Sequence, residues 1–140
     1  MSLSTYLMFN GSCRQAFEFY RTVFNSDFQV IQTFADAPPD MNVPDEDKDN
    51  IMHVSLPIGS SILMGSDTCS SFGPPATIGD NFSISYSPES KEDCNNIFEK
   101  LSHGGEVTMP LQDTFWGSYF GSLKDQFGVQ WMLNFDTQQN

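Results

Sequence analysis

One order of elements is written twice along this chain of 140 residues, and that repetition limits the fold more than any motif within it. The first copy opens with an apolar strand segment, Leu3 to Phe9, broken by Asn10–Gly11. Ser12 starts a helix, and Gln15 three residues on completes a capping box. Cys13, Ala16, Phe17, Tyr20, Val23 and Phe24 recur at helical spacing, while Arg14, Glu18 and Arg21 take the other side and Asn25–Ser26 ends the helix. Phe28 to Phe34 reads as a strand, and Ile51 to Ile58 with Ser61 to Ser66 as a hairpin around Gly59–Ser60. A stretch containing Gly73–Pro74–Pro75 follows, and then the pattern restarts. Phe82, Ile84 and Tyr86 alternate with Ser83 and Ser85 in a strand. Ser87–Pro88–Glu89 opens a second helix with Cys94, Ile97, Phe98 and Leu101 on its apolar face, and His103–Gly104–Gly105 stops it. Val107 to Leu111 is a strand, and the segment from Met109 to Asn134 supplies two more, with breaks at Asp113–Trp116 and Asp125–Gly128. This order predicts one α+β domain over 1–140, built of two βαβββ modules, 1–66 and 81–136, joined by a linker over 67–80.

Local pattern singles out particular positions. Met52, Val54 and Leu56 point to one side of their strand, and His53 and Ser55 to the other. Gly121, inside a strand, marks a bulge or a close approach by another backbone or a ligand, whereas Gly128 fits a turn with positive φ. Ala35 to Asn50, ADAPPDMNVPDEDKDN, sets three prolines among acids and reads as a mobile surface loop, either a lid over a site or a plain connection. Trp116 and Trp131 belong either to the core or to a pocket wall. Asp113 either orients a ligand amine or caps the Thr114–Phe115 turn, and His103 caps carbonyls at its helix end.

Charge removes whole classes of partner. Eighteen acids against six bases give a formal −12, which repels a phosphate backbone and an anionic membrane surface. No apolar run approaches the roughly 20 residues of a membrane span, and no signal-peptide pattern is read at the start. A soluble, cytoplasmic protein with no nucleic-acid or membrane partner is expected. Cys13, Cys69 and Cys94 lack CxxC spacing, and Cys13 and Cys94 are expected as small apolar core residues within helices.

Several segments carry a resemblance: YLMFNGSCRQAFEFY, IMHVSL, ILMGSD and MPLQDTFWGSYFGSLKDQFGVQWMLN. Together they resemble the PhnB-like branch of the vicinal oxygen chelate superfamily, the glyoxalase/bleomycin-resistance/dihydroxybiphenyl-dioxygenase group. The resemblance implies paired modules forming a curved mixed sheet cup with flanking helices, and two-fold dimers. Members of this branch are often labelled demethylubiquinone methyltransferase-like. A methyltransferase using S-adenosylmethionine would need a Gly-rich turn after its first strand, in a doubly wound sheet. Here Asn10–Gly11–Ser12 follows that strand and the next glycine is Gly59, so methyl transfer is rejected.

In the superfamily's metalloenzymes one His or Glu comes from each of four strands, and similarity carries those positions to Thr5, Met64, Asn81 and Met132. A hydroxyl, an amide and two thioethers hold Zn²⁺, Ni²⁺ or Fe²⁺ poorly, although Cu(I) through the two methionines stays formally open. The expectation is no metal and no cofactor. Alternation then lines the implied cup with Thr5, Leu7, His53, Met64, Asn81, Ser83, Gln130 and Met132, puts Asp113 and Trp116 at its rim, and turns Trp131, Leu133 and Phe135 toward the helices. Two functions follow. One is metal-independent binding of a small apolar or aromatic molecule, by sequestration as in bleomycin-resistance proteins; the other is a divergent lyase, isomerase or dioxygenase-type enzyme using His53, Asn81 and Asp113. The expected partners are a small-molecule ligand and a second copy in a homodimer.

Overall fold

The computed structural model describes residues 1–137. Contacts divide the chain into two compact units, the first Met1–Thr77 and the second beginning at Ile78. The first contains β1 (Thr5–Phe9), α1 (Cys13–Val23), β2 (Val30–Thr33), β3 (Ile51–Ile58) and β4 (Ser61–Asp67). Its four strands lie in the order β1-β4-β3-β2, with β1 parallel to β4 and the other pairs antiparallel. Helix α1 buries the face read from its spacing, with Cys13, Ala16, Phe17 and Tyr20 all fully enclosed. Phe9 and Phe17 meet edge-on at 6.3 Å. Gly65 permits this packing, because a Cβ there would sit 2.6 Å from the Phe17 ring.

The start of α1 corrects the capping-box expectation. Ser12 occupies the N-cap but its side chain makes no capping bond. Asp67, at the end of β4, does the work instead: Oδ1 accepts from the Gly11 and Cys13 amides at 2.8 and 3.0 Å, and Oδ2 from the Ile51 amide at 2.8 Å. One buried carboxylate thus ties the entry to α1, the start of β3 and the end of β4.

Two irregular stretches complete this unit. Between Phe34 and Asp47 the chain forms three single 3₁₀ turns, and the Phe34 and Ala35 amides close the loop on the Asn50 and Lys48 carbonyls, each at 3.0 Å. Ser71 Oγ donates to the Asn42 carbonyl at 3.1 Å. Residues 68–76, expected within a linker, fold back on β1. There the Asn10 side chain accepts from Thr68 Oγ1 (2.8 Å) and the Ala76 amide (2.9 Å) and donates to the Ala76 carbonyl.

The second unit repeats the plan with β5 (Ile84–Tyr86), α2 (Lys91–Ser102), β6 (Glu106–Asp113), β7 (Ser118–Lys124) and β8 (Gln130–Asp136), in the order β5-β8-β7-β6 with β5 parallel to β8. The N-cap of α2 is Ser90, not Ser87: its Oγ accepts from the Asp93 amide at 3.0 Å, and Glu92 and Asp93 fill the first turn. Gly121 is a close approach as expected. A Cβ there would meet the Phe98 ring at 2.9 Å and the Leu111 amide at 3.0 Å, opposite an irregular stretch of β6. Gly128 has φ +90°, the conformation its turn required.

Candidate functional site

The candidate residues are best placed by asking which sheet face each occupies. In the first unit the face turned from α1 carries Tyr6 beside Met64 and Met64 beside Ser55. The Tyr6 hydroxyl lies 3.1 Å from His53 Nδ1, with the rings stacked at 5.7 Å. Ser66 Oγ donates to Met8 Sδ at 3.4 Å. Of the residues expected in the cup, His53 and Met64 are therefore here.

Thr5 and Leu7 are not. Leu7 and Phe9 are 5% and 2% exposed in the core under α1, so β1 presents Tyr6 and Met8 on the candidate face and Thr5 on the covered one. The reason is physical: residues 6 to 9 are all apolar, so alternation alone could not choose a phase, and packing of Phe17 on Phe9 and Gly65 chose it. Strand β3 also departs from simple alternation. A register shift opposite Gln32 and Thr33 buries Ile51 completely, and Met52 leaves the face of Val54 and Leu56 to line a cavity.

In the second unit Met132 lies between Ser85 and Ser122, on the same face as Gln130, and the Gln130 side chain donates to the Phe82 carbonyl at 2.9 Å. Trp116, 54% exposed, stands edge-on to Phe120 at 6.1 Å, and Phe120 pairs with Asn134 on this face. Trp131 and Leu133 are buried on the opposite face, as alternation predicts. Asn81 and Ser83 precede the strand, which begins at Ile84, and both are exposed. Asp113 is engaged by Lys91 Nζ at 3.2 and 3.4 Å, while Thr114 closes the turn by donating to the Ser118 carbonyl through both its amide and its hydroxyl. Thr114, not Asp113, therefore caps the turn. His103 ends α2 with its backbone amide on the Lys100 carbonyl.

The superfamily's metal does not fit these residues. Thr5 and Met64 lie on opposite faces of one sheet. Among the described residues no three His, Cys, Asp or Glu side chains converge to hold an ion. The buried thiols are not poised nucleophiles: burial pushes Cys94 up to about 11, and burial followed by the charge of Asp67 pushes Cys13 higher still.

What the first unit does offer is a cavity of about 330 Å³. Met8, Met52 and Ser66 reach it from the sheet, and Phe34, Met41, Phe72 and Pro74 from the two irregular stretches. Asp67, Thr68 and Cys69 supply its polar edge. Phe34 and Phe72 stack at 6.0 Å, and Cys69 Sγ donates to Asp47 Oδ2 at 3.6 Å. None of the residues expected in the cup lines it. Much of its wall comes from stretches read as loop and linker, where the usable signal is a long loop bearing a large apolar residue.

Comparison with known proteins gives a consistent result. A family model described as 3-demethylubiquinone-9 3-methyltransferase matches residues 1–134. The chain is 31% identical to protein YjdN of Escherichia coli strain K12 over 150 residues, covering 99% of this chain and 98% of YjdN. Among solved structures it is similar to protein PA1353 of Pseudomonas aeruginosa, with 38% identity, TM-score 0.85, and 97% and 98% of the two chains covered. It is also similar to the PhnB protein of Bacillus cereus, with 25% identity, TM-score 0.77, and 96% and 99% covered. The fold recurs at low identity in a glyoxalase/bleomycin resistance protein/dioxygenase family enzyme of Burkholderia phytofirmans (15%, TM-score 0.60) and in the fosfomycin resistance protein FosX of Listeria monocytogenes (11%, TM-score 0.67). Matched from its first residue into β8, the chain belongs to the family described as 3-demethylubiquinone-9 3-methyltransferase.

Proposed function

We propose that this protein binds a small apolar or aromatic molecule, without a metal, in the cavity of its first unit. The observation that carries this reading is the cavity itself: about 330 Å³, walled by three methionines and two stacked phenylalanines. That volume falls in the ~300–1,000 Å³ range of small-molecule sites, and methionine walls adapt to varied shapes. Methyl transfer is not part of the proposal despite the family's description. Each unit has one helix against a four-stranded mixed sheet, not the doubly wound sheet with a Gly-rich turn that nucleotide-like cofactors use.

The test is titration with N-phenyl-1-naphthylamine, a neutral dye that brightens in apolar surroundings. The native protein brightens it saturably, and Met52→Trp, which fills the cavity, removes most of that signal while the far-ultraviolet circular dichroism stays native. No saturable signal in the native protein, or an unchanged one in Met52→Trp, overturns the reading.

A second reading rests on the Tyr6–His53 contact, since an imidazole oriented by a partner is what general acid–base chemistry requires. It would make the protein a divergent enzyme of the superfamily. Turnover of a component of a metabolite extract by the native protein but not by His53→Gln supports it, and equal profiles reject it. Assembly as a homodimer is also part of the proposal. Tyr6 and Met8 (each 44% exposed), Val30 and Ile62 lie on one sheet face and give a second copy apolar surface to cover. Light scattering at twice the chain mass is the expected result. No described helix is long and apolar enough to cross a membrane. We place the protein in the cytoplasm, a reading supported by three free, buried cysteines.

A further inference from the structure

The kind of ligand is set by what surrounds the cavity, and the argument rests on the cavity being a ligand site as proposed above. We infer that its occupant is a lipophilic cation, an aromatic or alkyl body bearing a quaternary or protonated amine. The loop that contributes Met41, and that reaches Cys69 through Asp47, carries six acids between Asp36 and Asp49 against one base. That base, Lys48, is already held by Asp45 at 2.8 Å. Asp67, in the cavity wall and 3% exposed, accepts from three backbone amides and adds a further acid beside the cavity. No lysine, arginine or histidine is among the described lining residues. Such an excess of negative charge attracts a cation and repels an anion, an effect that salt screens over a Debye length of ~10 Å at 0.1 M.

The apolar walls point the same way. Aromatic rings such as Phe34 and Phe72 attract a cation stripped of water, and thioether sulfurs are polarizable neighbours for it. A neutral ligand would use the walls but gain nothing from the acids. A cation with an apolar body uses both.

The experiment is displacement of N-phenyl-1-naphthylamine by two molecules of the same shape, phenyltrimethylammonium and tert-butylbenzene, with phenylmethanesulfonate as the anion. At low ionic strength the cation displaces the dye at about tenfold lower concentration than its neutral isostere, and the anion does not displace it. The advantage shrinks severalfold in 0.5 M sodium chloride. It also shrinks in Asp40→Asn/Glu46→Gln/Asp49→Asn, which neutralises three exposed loop acids, while tert-butylbenzene displaces equally well from that variant. Equal potency of cation and neutral isostere, or a cation advantage that neither salt nor the triple variant reduces, overturns the inference while leaving the cavity as a neutral site. A dye that does not bind at all removes the cavity reading and this one together.

Discussion

Trp131 Nε1 donates a hydrogen bond to Asp125 Oδ2 at 2.9 Å, with both residues almost wholly buried, at 1% and 3% exposure. The other carboxylate oxygen accepts from the Phe127 and Val129 amides at 2.8 and 3.0 Å, so one side chain both closes the β7–β8 turn and fixes the indole in the core. Asparagine cannot do both. In Asp125→Asn one oxygen serves the turn and an NH₂ group faces the indole N–H, leaving a buried donor without its acceptor. The unfolding free energy should fall by about 2 kcal/mol, seen as a lower urea midpoint with unchanged slope. A loss under ~0.5 kcal/mol would show that the bond carries no net stability.

Asp67 plays the corresponding part in the first unit, with three backbone donors from three separate elements. Asp67→Ala strands all three, and the expected cost is about 3 kcal/mol or more. Hydrogen exchange localises the effect: protection of the Gly11, Cys13 and Ile51 amides should drop more than that of the β7–β8 amides. A uniform drop across both units would mean that Asp67 acts through global stability alone.

These two carboxylates mark the border of what was legible from residues alone. Helix α1 was readable because its apolar residues recur every three to four positions with charges opposite, and its buried set is the one the spacing names apart from Phe24, a half-buried C-cap. Its cap was not. Ser12 and Gln15 formed a local pattern, but the donors went to a carboxylate 54 residues away, and a short-range rule carries no information about that. Ser87 and Ser90 are both followed by acids, so only the folded geometry separates them. The phase of β1 was hidden for another reason, an unbroken apolar run from Tyr6 to Phe9. The cavity lay furthest from view, since Met8, Phe34, Met52 and Phe72 meet only when two irregular stretches fold onto one end of strands β1, β4 and β3.

Gly121 and Gly65 are read as packing necessities, and alanine tests each. A Cβ at Gly121 meets the Phe98 ring and the Leu111 amide at 2.9 and 3.0 Å, and one at Gly65 meets Phe17 and the Leu7 carbonyl at 2.6 and 3.0 Å. Because backbone is among the atoms met, neither site relaxes by turning a side chain alone. Each substitution should cost about 1–3 kcal/mol. Gly79→Ala is the control: its nearest neighbour is 3.8 Å away, and its stability should stay within ~0.5 kcal/mol of the native protein. If all three variants melt alike, the helix–sheet contacts are looser than described.

The buried thiols make stability fall in alkali, with a sign that follows from the direction of their shifts. Cys94 titrates near its ordinary 9.0 when unfolded and at about 11 when folded, because burial disfavours the thiolate. A group raised on folding contributes fully below its unfolded value and loses that contribution as pH climbs to the folded one, here between about pH 9 and 11. Cys13, raised further by burial and by Asp67, continues the loss above that window. Urea unfolding under reducing conditions at pH 8 and pH 11 measures it against Cys94→Ala, which has no thiol to titrate at that position. The native protein should lose about 2 kcal/mol more than the variant over this interval. Equal losses would mean that the Cys94 thiolate is tolerated in the fold, contradicting its burial on the inner face of α2.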